Sequence, residues 1–135
     1  MDAVDVSHWF SEYLDVFSAC ARGERDTASL LAYYGVPMLV TTDAGLFALT
    51  SDDRIVAAVQ PQIDGMRSAG YQRSETLGSE VTVLNARSAL CRATFSRQRA
   101  DGGEINRLTA TYLMADGPPG RRISAIAVHT PSQPE

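Results

Sequence analysis

The sequence of 135 residues predicts an α+β fold in which three helices pack on an antiparallel sheet. Two observations carry this prediction. Apolar residues recur at helical spacing in three segments before residue 70, whereas the chain from about residue 71 onward consists of strand-like runs separated by turn residues. Because these strands come in a block rather than alternating with helices, the pattern favours an α+β layer over parallel βαβ units.

The first two predicted helices lie at the N-terminus. The first covers about residues 3–22, where apolar side chains recur every three or four positions, and Gly23 is a suitable residue to end it. A short second helix follows. Either Asp26 or Thr27 is able to cap its first turn, and Gly35 is expected to end it.

A hairpin and a third helix come next. The hairpin covers residues 36–50, with its turn at Asp-Ala-Gly, and the helix covers about 52–68. Thr50 and Asp53 have the spacing of a capping box at the start of this helix. Pro61 falls inside it, so we expect either a kinked helix or two helical pieces.

Four strands complete the predicted sheet, and the turn at Asp101-Gly102 defines the pairing of the middle two. A two-residue turn there pairs Ala100 with Gly103. The strands are predicted over residues 71–84, 88–99, 104–114 and 121–129. On one face the pairing sets Phe95 opposite Leu108, Ala93 opposite Ala110, and Cys91 opposite Tyr112. On the other it sets Arg92 opposite Thr111, Thr94 opposite Thr109, and Ser96 opposite Arg107.

The sequence leaves open which face of this hairpin meets the helices. If the face with Arg92, Thr94 and Thr109 points inward, the interior is polar and Arg92 is able to hold an anionic group. If the apolar face points inward, the threonines form a solvated surface, to which threonine is well suited. The final strand has the same ambiguity, since His129 lies either with Tyr112 or on the opposite face.

Composition and charge exclude several classes of partner. The net charge of −4 argues against a nucleic-acid-binding surface, which requires clustered positive charge. We interpret the arginine pairs Arg97 with Arg99, and Arg121 with Arg122, as solvated strand edges and turns. No stretch approaches the ~20 apolar residues of a membrane span, and the acidic N-terminus does not resemble a secretory signal. A cytoplasmic protein without membrane contact is expected.

The remaining chemistry of the chain predicts neither a metal site nor a bound cofactor. The two histidines, His8 and His129, are far apart and have no ligand spacing, and no dinucleotide or phosphate-binding motif is present. Cys20 and Cys91 are expected to be free, buried thiols, although the sequence does not exclude a disulfide. Residues 131–135 have no side chain that could anchor them to the domain, so we expect a disordered tail.

The order of elements, together with three local segments, resembles the NTF2-like superfamily and in particular its SnoaL-like branch. The segments are residues 31–37 after the second helix, the hairpin over 96–107, and the ending at 120–126. The resemblance extends over about residues 5–129 and implies a single domain over residues 1–130. It further implies a strongly curved sheet, a conical cavity between sheet and helices, and a homodimer formed through the sheet.

The catalytic residues of the ketosteroid-isomerase branch have no counterpart at the matching positions. The position of the carboxylate base falls at Thr41 or Thr42, and threonine does not remove a proton from carbon at neutral pH. The position of the oxyanion-stabilising acid falls at Thr109. We therefore assign no catalytic set to this chain.

These considerations predict a protein that binds a small organic molecule in its conical cavity. The ligand-binding residues predicted from the sequence are Trp9, Tyr13, Tyr34, Met38, Thr109 and His129. Two alternatives remain. One is a cofactor-independent isomerase, dehydratase or cyclase in which His129 or Tyr13 transfers a proton. The other is a protein-interaction module that recruits its partner through the sheet.

Overall fold

The computed structural model describes residues 1–131, in which two α-helices and one 3-10 helix pack against a six-stranded sheet. The helices are α1 (Ala3–Ala21), the 3-10 helix (Thr27–Ala32) and α2 (Asp52–Ser68). The strands are β1 (Tyr34–Thr42), β2 (Gly45–Leu49), β3 (Tyr71–Asn85), β4 (Ser88–Arg99), β5 (Glu104–Gly117) and β6 (Gly120–Val128). From residue 132 onward, the predicted disordered tail lies outside the described residues.

Helix α1 begins at a side-chain cap and buries one face along its whole length. The Asp2 carboxylate accepts hydrogen bonds from the backbone N–H groups of Val4 at 2.7 Å and Asp5 at 3.3 Å. The chain leaves the helix at Gly23, whose φ of +79° suits glycine. The buried face consists of Val6, Phe10, Tyr13, Val16, Cys20 and Ala21. Their spacing of mostly three or four residues is the one the sequence predicted.

The structure decides between the two predicted caps of the 3-10 helix and contradicts the predicted cap of α2. Asp26, not Thr27, caps the 3-10 helix by accepting the N–H of Ala28 at 3.0 Å. At α2 the capping residue is Ser51, whose hydroxyl accepts the N–H of Arg54 at 3.2 Å, so the capping box predicted one residue earlier is wrong. Pro61 lies within α2, which is one continuous helix.

The sheet is mixed rather than purely antiparallel. Its strand order is β2-β1-β6-β5-β4-β3, and β1 and β6 run parallel while all other neighbours are antiparallel. Register shifts occur in four of the five pairings, for example between Tyr34 and Leu39 on β1 and between Thr76 and Gly78 on β3. Because such bulges bend a strand and increase its twist, the sheet curves around the helices.

The predicted pairing of β4 with β5 is confirmed at all six predicted residue pairs. The predicted two-residue turn is wrong, because Arg99 rather than Ala100 pairs with Gly103, through an N–H···O bond of 2.8 Å. The loop is thus one residue longer. Gln98 pairs with Glu104 and Arg97 pairs with Asn106, so Ile105 is an extra, bulged residue on β5. This bulge compensates for the longer loop and returns the strands to the predicted register.

The apolar face of this hairpin points toward the helices. Cys91, Ala93, Phe95 and Ala110 are almost fully buried, and the ring of Phe10 on α1 packs edge-on against that of Tyr112, with 4.9 Å between their centroids. We call this side of the sheet the inner face. Burial of apolar surface decides the orientation that the sequence left open.

The polar face of the hairpin lies on the outer side of the sheet. There the hydroxyls of Thr94 and Thr109 form a hydrogen bond of 2.8 Å, and Arg92 is exposed. His129 also lies on this side, since its Nε2 is 2.7 Å from the hydroxyl of Thr111. The alternative in which the face with Arg92 points toward the helices is therefore wrong.

The core contains both cysteines as free thiols. Cys20 and Cys91 are fully buried, and burial raises the pKa of each. The Cys20 thiol donates to the backbone carbonyl of Asp26 at 3.3 Å. In the part of the chain that the structure describes, no helix is long and apolar enough to cross a membrane.

A matched pair of valines on α1 tests the predicted orientation of this helix. Val6 is 0% exposed and Val4 is 76% exposed, so the replacement of each by alanine changes helix propensity equally but burial differently. We expect Val6→Ala to lower the free energy of unfolding by about 2 kcal/mol more than Val4→Ala does, measured by urea denaturation. Equal effects would contradict the described packing of α1.

Candidate functional site

A cavity of about 290 Å³ lies between the two α-helices and the inner face of the sheet. All six strands contribute to its walls. Its apolar lining includes Leu14, Phe17, Met38, Phe95, Leu108 and Ile126. Asp15 of α1, Gln62 of α2 and Thr76 of β3 are exposed residues of the lining and therefore mark the opening of the cavity to solvent.

The alternation of side chains along β4 and β5 determines which residues face the cavity. Phe95 and Arg97 point inward from β4, and Leu108, Ala110 and Tyr112 point inward from β5. Within each strand, these inward-pointing residues are two positions apart, as expected for one face of a strand. An arginine thus occupies a position in the same inward row as a core phenylalanine.

Arg97 is the one cation among the described residues of the cavity wall, and it is only 8% exposed. With the Gln62 amide assigned so that its oxygen faces the guanidinium, this oxygen accepts hydrogen bonds from Nη1 at 3.1 Å and Nη2 at 3.0 Å. The ring of Phe17 lies 5.7 Å from the guanidinium carbon. Among residues 1–131, no carboxylate forms an ion pair with Arg97.

Burial changes the electrostatics of Arg97 but not its charge. It lowers the pKa of the guanidinium, while the neighbouring hydroxyls of Tyr112, Tyr71, Tyr13 and Tyr34 act in the opposite direction. Because a guanidinium is always protonated in proteins, the side chain remains a cation. The interpretation of Arg97 as part of a solvated strand edge is wrong.

Two tyrosine hydroxyls form a hydrogen-bonded pair in the wall of the cavity. The oxygens of Tyr13 on α1 and Tyr34 on β1 are 2.8 Å apart. Burial raises the pKa of both side chains well above the usual value for tyrosine, so both are neutral at physiological pH. The pair therefore offers hydrogen bonds and no negative charge.

Further hydroxyl groups lie near this pair. Tyr112, 6% exposed, lines the cavity, and its hydroxyl makes no hydrogen bond to any residue within 1–131. Ser18 and Ser74 also line the cavity, and both bond to the hydroxyl of Tyr71, at 2.8 and 2.7 Å. The cavity thus combines apolar walls with one cation and several neutral hydroxyls.

The structure brings three of the six sequence-predicted ligand-binding residues together in the cavity wall. They are Tyr13, Tyr34 and Met38. Trp9 is not part of the wall and packs against Tyr33, with 5.3 Å between the ring centroids. Thr109 and His129, expected in the cavity, lie instead on the outer face, because the neighbours of Thr109 on β5 are the residues that point inward.

The arrangement favours recognition of a ligand over proton abstraction. A general base for carbon acids is usually a carboxylate or a histidine. The one such group among the described residues of the wall is Asp15, which is exposed at the opening. Among residues 1–131, no three His, Cys, Asp or Glu side chains are close enough together to hold a metal ion.

Sequence reasoning missed Arg97 and Gln62. Arg97 was predictable, because the confirmed register places it two residues from Phe95 and therefore on the same face. Gln62 had no comparable pattern, since an exposed glutamine on a helix resembles any solvated residue until the fold places it across from Arg97.

The profile of a family described as NTF2-like protein (DUF6841) matches residues 2–131. No curated protein matches the chain by sequence. Because the match covers nearly the whole chain, it establishes the family.

Solved structures share this fold at low sequence identity. Yeast UBP3-associated protein BRE5 aligns at a TM-score of 0.71 and 15% identity, covering 98% of this chain and 99% of that one. A Nostoc punctiforme protein of unknown function with a cystatin-like fold aligns at 0.70 and 12%, covering 99% and 97%. The association domain of C. elegans CaMKII aligns at 0.67 and 12%, covering 93% of each. Likeness at this level of identity establishes fold and not function.

The tyrosine pair predicts a specific response to alkaline pH. A folded-state pKa above the unfolded value of about 10 contributes stability that is complete below pH 10 and is lost as pH rises further. In Tyr34→Phe, the free energy of unfolding should fall less steeply above pH 10, by up to about 1.4 kcal/mol per pH unit. Urea denaturation between pH 8 and about 11 measures both slopes. Identical slopes above pH 10 would show that Tyr34 is hydrated in the folded protein.

Proposed function

This chain belongs to the family of NTF2-like proteins described as DUF6841, and we propose that it binds a small organic molecule in the cavity between its helices and sheet. The cavity itself is the observation that carries the proposal. Binding sites for small molecules are concave and mainly apolar, with a few polar groups that orient the ligand. The apolar walls, together with the hydroxyl of Tyr112 and the guanidinium of Arg97, have this composition.

The size of the cavity supports a compact ligand. At about 290 Å³ it lies near the lower end of the usual range for ligand sites, roughly 300–1,000 Å³. Phe95 and Leu108 on the sheet and Phe17 on α1 offer flat and branched apolar surfaces. Such walls suit a ligand with one aromatic or aliphatic body.

Binding is better supported than a cofactor-independent isomerase, dehydratase or cyclase. Of the two proton-transfer residues considered from the sequence, His129 lies on the outer face, while Tyr13 lines the cavity. The raised pKa of Tyr13 makes it a hydrogen-bond donor rather than a base at neutral pH. Proton abstraction would therefore require a group outside this set.

We also propose that two copies of the chain associate through the outer face of the sheet. A second, shallower depression there is lined mainly by apolar side chains, including Leu39, Leu46 and Leu113. Leu46 is 70% exposed and Leu39 is 45% exposed, so this depression presents contiguous apolar surface to solvent, as interaction sites often do. A solved structure of the same fold is described as an association domain, which is compatible with association of the present chain.

Filling the cavity tests the binding proposal. In Ala110→Leu the larger side chain extends from the central strand β5 into the cavity, whereas in Ala115→Leu it lies on the same strand outside the wall. The neutral fluorescent probe N-phenyl-1-naphthylamine should bind the wild-type protein and Ala115→Leu, with at least tenfold weaker binding to Ala110→Leu. Thermal denaturation should show that both variants are folded. Equal binding by the two variants would refute the proposed site.

A charge on the outer face tests the association proposal. Wild-type protein should sediment as a dimer at micromolar concentration, and Leu46→Lys should sediment as a folded monomer, because a buried lysine in an apolar interface is unfavourable. Leu77→Lys, at an exposed leucine of β3 outside the depression, is the matched control and should remain dimeric. A monomeric wild-type protein, or dissociation by both variants alike, would contradict the proposal.

A further inference from the structure

We propose that the ligand of the cavity is an organic monoanion, a carboxylate with an apolar body, whose charged group pairs with Arg97. This inference rests on the proposed function and specifies its ligand class. It depends on three properties of Arg97: its burial without a countercharge, its unused N–H groups, and the apolar surroundings in which it lies.

Among residues 1–131, no acidic side chain pairs with the charge of Arg97. Among the described residues, the polar groups that act on this charge are the amide of Gln62 and the hydroxyls of Tyr13, Tyr34, Tyr71 and Tyr112, and none of them is a carboxylate. Asp15 also lines the cavity but is exposed at its opening and forms no ion pair with Arg97. Burying an unpaired charge is costly, and a bound anion offsets that cost.

The hydrogen-bonding capacity of Arg97 is only partly used. A guanidinium has five N–H donors. The amide oxygen of Gln62 accepts from Nη1 and Nη2, which leaves three N–H groups without an acceptor among residues 1–131. A carboxylate has two oxygens in a plane and accepts paired N–H groups from arginine in a bidentate arrangement. The side chain is thus held by Gln62 and still able to donate to a ligand.

The surroundings of Arg97 favour a monoanion with an apolar body. One guanidinium balances one negative charge, whereas a phosphate dianion would keep an unbalanced charge in a site lined by Phe95, Leu108 and Ile126. The ring of Phe17 covers the guanidinium at 5.7 Å and adds apolar surface beside the charge. The free hydroxyl of Tyr112 is a further donor in the same wall.

Two pairs of probes distinguish charge from shape. Phenylacetate and 3-phenylpropionate carry the carboxylate, and phenylacetamide and 3-phenylpropionamide are their neutral counterparts of nearly equal size. By isothermal titration calorimetry, at least one acid should bind wild-type protein about tenfold or more tightly than its own amide. If neither acid binds more tightly than its amide, the inference is overturned.

Variants on β4 test whether Arg97 supplies this preference. Arg97→Met keeps the length of the side chain without its charge, and Arg92→Met makes the same change at an exposed arginine on the outer face of the same strand. We expect Arg97→Met to remove the preference for the acid and Arg92→Met to retain it. Without ligand, Arg97→Met should melt at or above the wild-type temperature, because a buried unpaired charge is removed.

The outcomes separate the inference from the proposed function. If N-phenyl-1-naphthylamine binds wild-type protein and the carboxylates show no preference, the cavity is a neutral binding site and only the inference fails. If neither that probe nor any of the four phenyl compounds binds, the proposed function fails as well. If Arg97→Met melts at a lower temperature and retains the preference for acids, Arg97 has a structural role only. The comparison of acids with amides on wild-type protein stands even if a variant does not fold.

Discussion

The interior of this protein depends on the register of the β4–β5 hairpin. The pairing of Phe95 with Leu108 and of Cys91 with Tyr112 directs one apolar row toward the helices, and a slip by one residue would replace it with arginine and threonine. The same alternation carries Arg97 inward. The packing of the core and the charge of the cavity therefore follow from one constraint.

The cavity lies where α1, α2 and the inner face of the sheet leave a space between them. Met38 and Tyr34 reach it from β1, a strand that joins the sheet through parallel pairing with β6. In its wall the hydroxyls of Tyr13 and Tyr34 bond to each other, whereas among residues 1–131 only Gln62 accepts hydrogen bonds from the Arg97 guanidinium. An arginine whose N–H groups are not all paired among residues 1–131 is able to donate further hydrogen bonds into the cavity.

Local patterns were sufficient to predict most elements and the hairpin register, because helical periodicity, strand alternation and turn residues act over short distances. They did not predict the parallel contact of β1 with β6, whose paired residues lie far apart in sequence, as do Val40 and Ile126. The family-based position of Thr109 was displaced by one residue from the inward row, and on a strand one residue changes the face. Of the candidate site, the sequence predicts the aromatic members Tyr13 and Tyr34, whereas the charge of Arg97 favours a solvent-exposed position over the inward one that strand alternation gives it.

The cavity wall has a thermodynamic consequence for the whole molecule. Its residues range from Ser11 on α1 to Val128 at the end of β6, so a molecule bound there would lie between both α-helices and all six strands. Such a molecule would act as a removable crosslink between segments that are distant in the chain. Its binding energy would add to the global free energy of unfolding, by about 2.7 kcal/mol at a hundredfold excess over Kd. Backbone amides far from the cavity would then exchange with solvent more slowly when it is occupied.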